Sequence, residues 1–183
     1  LTCSVLVGEL TLSGEEWTTI DKPINMKAEF NEEDISGEVT WSVSDDDIAT
    51  IDADGKLTFT AHGKITVTAT YMDISVEYEV VGYDGTVGSL EDMSKMSKTG
   101  WYIMTDNIDA NNNTGYLFNF TVEGGTSSDF DGLRDGNGYA ITNVSHPIQN
   151  GLYGTIRNIA FTSVTDTNIG ETHALIMRAA AGG

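Results

Sequence analysis

Trp41-Ser-Val-Ser-Asp-Asp-Asp-Ile-Ala-Thr-Ile-Asp52, then Ala53-Asp-Gly-Lys-Leu-Thr58, then Gly63-Lys-Ile-Thr-Val-Thr-Ala-Thr-Tyr71: the fold turns on this stretch. In its last part Ile65, Val67 and Ala69 alternate with polar residues at the two-residue period of a half-buried strand. Val39, Trp41 and Val43 do the same within Glu38–Val43, and Val76, Tyr78 and Val80 within Ile74–Val81. Upstream, Ile24–Phe30 alternates less cleanly. Ser44–Asp47, Asp52-Ala-Asp-Gly55 and His62-Gly63 punctuate these runs with turn-forming residues. Strands recurring every ~8–12 residues with such punctuation predict an all-β sandwich rather than a βαβ fold. Trp41 is read as its core anchor.

The same residues resemble the bacterial immunoglobulin-like group 2 (BIG2) domain. The tryptophan–serine pair, the Ile48-Ala-Thr-Ile-Asp52 and Asp54-Gly-Lys-Leu-Thr58 segments and the Gly63–Tyr71 strand follow that family's order across about residues 5–82. The resemblance implies a sandwich of about seven strands, of a kind used as spacers or binding arms in bacterial surface proteins, adhesins and phage structural proteins.

The character of the chain changes at Gly82-Tyr-Asp-Gly-Thr-Val-Gly88, a Gly-rich stretch suited to a linker, so residues 1–82 and 83–183 are read as two domains. Ser89–Ser97 predicts one short helix: Leu90, Met93 and Met96 have helical spacing, Ser89 suits the N-cap, and acids precede Lys95 and Lys98. Gly100–Met104 and Tyr116–Val122 read as strands around an Asn-rich loop, Asp109–Gly115. Ile141-Thr-Asn-Val144 returns fifteen residues later as Ile156-Arg-Asn-Ile159. Short apolar strands recurring with Gly and Asn at corners are a solenoid pattern. The spacing predicts Ile141 and Ile156 pointing inward on neighbouring parallel strands, with Asn143 and Asn158 near corners.

Asp135-Gly-Asn-Gly-Tyr-Ala-Ile141 and Gly151-Leu-Tyr-Gly154, followed by Thr155–Ile159, resemble the GLUG-repeat proteins, and Leu90–Asp109 resembles the segment that often leads those repeats. This resemblance implies a partial right-handed parallel β-helix of bacterial surface proteins behind the immunoglobulin-like sandwich. The solenoid would leave an open face after Ala179-Ala-Ala-Gly-Gly183. A continuation of the β-helix or a partner is therefore expected to cover that end.

Composition narrows the function classes. Over 183 residues, 28 acids against 9 bases give a net charge of −19, with −13 on residues 1–82 and −6 on the remainder. So few cations argue against nucleic acid as a partner and against docking on an anionic membrane. No apolar run approaches the ~18 residues of a membrane span, so no membrane insertion is expected in this segment. Cys3, the single cysteine, excludes an intrachain disulfide and a thiolate cluster.

His62, His146 and His173 stand at no metal-ligand spacing and are read as turn or surface residues. There is no GxSxG nucleophile elbow, and no catalytic residue is assigned. Calcium is the one cofactor the sequence raises. Asp45, Asp47, Asp52 and Asp54, with Asp46 between them, cluster hard oxygen donors, while the same Asp52–Gly55 segment reads equally as a metal-free hairpin turn. Asp106, Asp109 and Asn111–Asn113 form a second such cluster. Trp17, in a polar stretch, is the candidate ring for stacking on a sugar, whereas Trp101 lies in an apolar strand and reads as core.

The reading that follows is a non-catalytic extracellular module for surface display, adhesion, or binding of a glycan or protein on a host or neighbouring cell surface. A phage virion fibre or capsid-decoration protein is the alternative. A third reading makes the second half the N-terminal part of a polysaccharide-degrading β-helix enzyme.

Overall fold

The computed structural model describes residues 8–112, 120–122, 125–127, 129–145, 151–152 and 154–164. The chain divides into two compact units, Leu1–Asp84 and Gly85–Gly183.

The first unit is built from short strands. They are β1 (Leu10–Ser13), β2 (Trp17–Thr19), β3 (Ile24–Asn25), β4 (Lys27–Phe30) and β5 (Glu33–Asp34). There follow β6 (Thr40–Val43), β7 (Ala49–Ile51), β8 (Lys56–Phe59), β9 (Gly63–Tyr71) and β10 (Ile74–Tyr83). They form one four-stranded sheet, β2-β10-β9-β6, and two three-stranded sheets, β1-β4-β5 and β3-β8-β7. Pairing is antiparallel throughout except for β2 on β10. Ile65, Val67 and Val80 of the larger sheet pack on Ile24, Met26, Ala49, Leu57 and Phe59, and Ala69 packs with Leu10, Ala28, Ile35 and Val39. One sheet thus shares its inner face between two smaller ones, and each fully buried aliphatic side chain contributes about 1.5–3 kcal/mol.

Ile24–Phe30, read as alternating less cleanly, in fact alternates regularly across a change of sheet, with Asn25 and Lys27 exposed between buried residues. Ile24, Met26 and Ala28 are all buried, yet β3 pairs with β8 while β4 pairs with β1 and β5. The strand changes sheets at Met26, whose N–H donates to the Gly55 carbonyl at 2.8 Å. Among the described residues the sandwich has ten strands, where the family resemblance implied about seven.

Trp41 corrects another expectation. It lies on the edge strand β6 and is half-buried, packed against both clusters of the first unit, with its indole N–H donating to the Ser36 carbonyl at 2.9 Å. It seals the seam between two cores rather than filling one. Gly55, at φ +80°, lies beneath the ring: a Cβ there would stand 2.9 Å from Trp41 Cζ2 and 2.7 Å from the Met26 carbonyl oxygen. The turn residue after the aspartates therefore has to be glycine for packing as well as for its backbone angle.

The glycine-rich stretch 82–88, expected as a linker, is largely strand. β10 runs to Tyr83, and after Asp84 alone β11 (Gly85–Val87) begins. Gly82 serves close packing, because a Cβ there would overlap the Phe59 ring.

The second unit continues with α1 (Leu90–Lys95), whose N-cap Ser89 accepts from the Asp92 N–H, as its sequence predicts. Strands β12 (Trp101–Met104) and β13 (Ile108–Asp109) come next, then β14 (Phe120–Val122), β15 (Gly125–Ser127) and β16 (Asp129–Phe130). β17 (Leu133–Asp135), β18 (Ala140–Thr142), β19 (Gly151–Leu152), β20 (Thr155–Arg157) and β21 (Ala160–Thr162) complete it. Among the described residues, every pairing apart from the antiparallel hairpin β14–β15 is parallel: β11-β12-β17-β20, β13-β18-β21 and β16-β19. The chain enters these sheets in a fixed order, β16–β17–β18 and then β19–β20–β21.

Ile141 and Ile156 both pack into the apolar interior with Val87, Met93, Met96, Met104, Ile108 and Val144. They are not neighbours, however. Ile141 pairs with Ile108 and Phe161, and Ile156 with Arg134. The Ile-x-Asn resemblance joins different corners of two successive turns of chain, because both corners need an inward aliphatic followed by a left-handed residue. Asn143 (φ 53°) and Asn158 (φ 55°) supply that residue.

Glycine sets the close stacking at a further corner. A Cβ on Gly132 would lie 2.3 Å from the Gly100 carbonyl oxygen, and one on Gly154 would lie 2.3 Å from that of Gly132. The same carbonyls accept the N–H groups of Leu133 (3.2 Å) and Thr155 (2.7 Å).

Candidate functional site

The acidic loop is assembled by turn chemistry. After β6, the Asp45 carboxylate accepts the Asp47 N–H at 3.0 Å, and its carbonyl accepts the Ala49 N–H at 3.2 Å. Between β7 and β8, one carboxylate oxygen of Asp52 accepts from Asp54 N (3.0 Å) and Lys56 N (2.9 Å). Asp45, Asp47, Asp52 and Asp54 are all exposed. Short Asp side chains bridging their own backbone in this way are Asx turns. Among the described residues no three His, Cys, Asp or Glu side chains come together as a metal-binding group.

Trp17 on β2 is half-buried, its ring edge-on to Tyr83 with centroids 6.1 Å apart. It is thus less open than its polar neighbours suggested. Trp101 on β12 is half-buried as well. His62 occupies the bend before β9 and lies 2.7 Å, Nδ1 to Oδ2, from Asp84. Cys3, Asn113, His146, Tyr153 and His173 lie outside the described residues.

The densest polar constellation is one that the sequence reading passed over, on β17 and its neighbours in the second unit. Asp135 is buried. Its Oδ2 receives Arg157 Nε and one Arg157 terminal nitrogen, both at 2.7 Å, while its Oδ1 accepts the Asn137 N–H (3.0 Å) and Asn158 Nδ2 (3.1 Å). Arg157 and Asn158 belong to the next layer, so a carboxylate in one layer clamps a guanidinium and an amide in another.

Beside it, buried Arg134 is aimed the opposite way. Its Nη1 donates to the carbonyls of Gly100 (2.6 Å) and Leu133 (3.1 Å), and Nη2 donates to that of Ser97 (2.7 Å). The guanidinium carbon stands 5.0 Å from the centre of the Tyr102 ring. This fork ties the segment after α1 to β17. A second clamp repeats the theme at the end of β13: Asn143 Nδ2 donates to Asp109 Oδ1 at 2.9 Å, and Asn111 N donates to the same oxygen at 2.8 Å. Those two bonds, the backbone one foremost, hold the Asp109 carboxyl below the usual carboxylate range. Asp92 is held low by the Ser89 hydroxyl and then by the Gly88 N–H.

No local signal marked this constellation: the burial of Arg134 and Asp135 on β17 follows from the stacking of layers. The interior lined by Met93, Met96, Met104, Ile108, Ile141 and Ile159 leaves a gap no larger than a water molecule. The arrangement therefore binds the protein to itself: it orients backbone, stacks layers and closes its own interior.

No helix among the described residues is long and apolar enough to cross a membrane. No curated protein matches the chain. Residues 19–80, the greater part of the first unit, match the family model of the bacterial Ig-like domain (group 2), which this unit resembles in sequence and in its packed sheets.

Proposed function

We propose that this chain is a non-catalytic extracellular module of a bacterial surface. An immunoglobulin-like arm at residues 1–82 is followed at 83–183 by a GLUG-like right-handed parallel β-helix. The module acts in display or adhesion, with a glycan or a protein of a host or neighbouring cell as its partner. The observation that carries this reading is the match of residues 19–80 to the bacterial Ig-like model. Support for the β-helix comes from the fixed order in which the chain enters its parallel sheets and from the glycines stacked at one corner.

Antibody raised against the chain tests the reading on intact cells of the producing bacterium. Labelling without lysis, lost after brief protease treatment of whole cells, is the expected result. Labelling only after lysis overturns it, and labelling of phage particles replaces it with the virion reading. Turnover of acidic polysaccharides by the purified chain would overturn the non-catalytic assignment.

A further inference from the structure

Asn137-Gly138 is an exposed asparagine–glycine pair at the turn between β17 and β18, with both residues at positive φ (51° and 83°). The Tyr139 N–H closes the turn on the Gly136 carbonyl at 2.8 Å. Asparagine followed by glycine is chemically labile, because no side chain shields the glycine nitrogen from the asparagine amide carbon. A Cβ on Gly138 would meet nothing within 4 Å, so the pair is open on its outer side. Its inner side is occupied. The Gly138 N–H donates to the Asn158 carbonyl at 3.1 Å, the Asn137 N–H donates to Asp135, and the Gly136 N–H donates to the Arg157 carbonyl at 2.9 Å.

We infer that Asn137 is a deamidation site held closed by the layer that carries Arg157 and Asn158, and that deamidation there prevents this turn from closing again. In the reaction the Gly138 nitrogen attacks Asn137 Cγ, the new C–N bond forms, and Cγ–Nδ2 breaks. The Gly138 proton leaves with the amide as ammonia. Water then opens the cyclic imide at either carbonyl, giving aspartate or isoaspartate, and no redox partner is involved. While the layers are stacked, the nitrogen that must attack is engaged as a donor to Asn158, and the turn bond fixes the backbone that must rotate. Opening of the layer releases both constraints. The product then opposes closure: a new carboxylate arises beside Asp135, whose Oδ1 already serves the Asn137 N–H and Asn158 Nδ2, and isoaspartate lengthens the turn backbone.

The test incubates the full chain at mildly alkaline pH and measures, by peptide mapping, the replacement of NH2 by OH at Asn137, resolved from the Asn150-Gly151 pair. The folded chain should deamidate at Asn137 about tenfold or more slowly than a synthetic peptide spanning 132–142. Gly136→Ala should remove most of that difference, because its Cβ would stand 2.2 Å from the Asn158 carbonyl oxygen and displace the layer. Should that variant unfold, a urea series on the unmodified chain gives the same information: the rate should climb in step with hydrogen exchange at the Gly138 amide. Deamidation of the folded chain at the peptide's rate overturns the inference. So does a rate unmoved by urea while that amide loses protection.

Discussion

The hairpin β9–β10 and the parallel pair β17–β20 solve the same problem, aligning strands around an apolar interior, by opposite means. In the hairpin, Ile74 pairs with Tyr71 across a two-residue turn, and eight further residue pairs follow in register. In the parallel pair, Leu133 meets Thr155 from 22 residues away, and only three pairs form. A short turn fixes register by itself, whereas distant strands need devices at the corners. The second unit supplies them as stacked glycines and as carboxylate clamps between layers, such as Asp135 with Arg157 and Asp109 with Asn143. The sandwich relies instead on apolar faces: Ile65, Val67, Ala69 and Val80 are almost completely buried.

If that contrast holds, truncation should damage the sandwich most and added methyl groups the parallel stack. Trp41→Ala is expected to cost about 3 kcal/mol, the lower part of the range for large aromatic truncations, because the ring is half-exposed. Amide exchange in β9 should report the loss, and an unchanged β9 would show that the seam carries no weight. Gly132→Ala and Gly154→Ala should each cost about 1–3 kcal/mol through overpacking against a carbonyl, seen as lost protection in β17 and β20. Gly37→Ala, where a Cβ would meet nothing within 4 Å, is the matched control, with an expected change within about 0.5 kcal/mol.

Arg134→Lys comes next, at about 1–3 kcal/mol, since a point charge cannot serve the Gly100 and Ser97 carbonyls together as the planar fork does. Wild-type stability in a urea titration of Arg134→Lys would reduce the fork to an incidental contact.

Acid sharpens the comparison further. The Asp92 and Asp109 carboxyls are held low in the folded second unit, as in the first are Asp34, by the Ser36 N–H and then its hydroxyl, and Asp21, by the Thr19 hydroxyl foremost. A depressed folded value contributes stability above the unfolded value of about 4, and that contribution is lost as pH falls through and below it. Over residues 1–82, protonation also relieves repulsion among charges that sum to −13, an effect of opposite sign. Melting followed by unit-specific probes should therefore show the larger acid loss in the second unit, reduced by Asp92→Asn. Equal losses in both units would sink this account.

The smallest effect concerns the acidic loop. Calcium chloride and sodium chloride at matched ionic strength should stabilise the chain alike, by screening within about 10 Å at 0.1 M. A calcium-specific rise in melting temperature that vanishes in an Asp52→Ala, Asp54→Ala double variant would make the loop a metal site.

How far the sequence could be read follows the same division. Alternation exposed β9 and β10, and Ser89 with its acids exposed α1, because period and capping are local properties. Strand pairing in the second unit is not local. Ile141 and Ile156 look alike since each is an inward aliphatic before a left-handed asparagine, yet their strands belong to different sheets. Trp41 was recognised as important, but its position on an edge strand over two cores depends on where β3 gives way to β4. Of the candidate site residues, Asp45 was legible as a turn former within the polar run Ser44–Asp47, and Asp52 from its spacing to Gly55. The clamp around Asp135 was not, because Arg157 and Asn158 reach it only through stacking of layers.

The hairpin β14–β15 leaves a mark on the spacing of the stack. From Ile108 to Ile141 the chain travels 33 residues to gain one layer, and from Ile141 to Phe161 it travels 20. Most of the extra length is spent between β13 and β16, while the strands on either side keep their parallel register. That corner is thus a port where sequence can be added without renumbering the ladder. For protein engineering it offers a graft point for foreign peptides or a reporter loop, and in a lineage of related chains it is where insertions and deletions should accumulate.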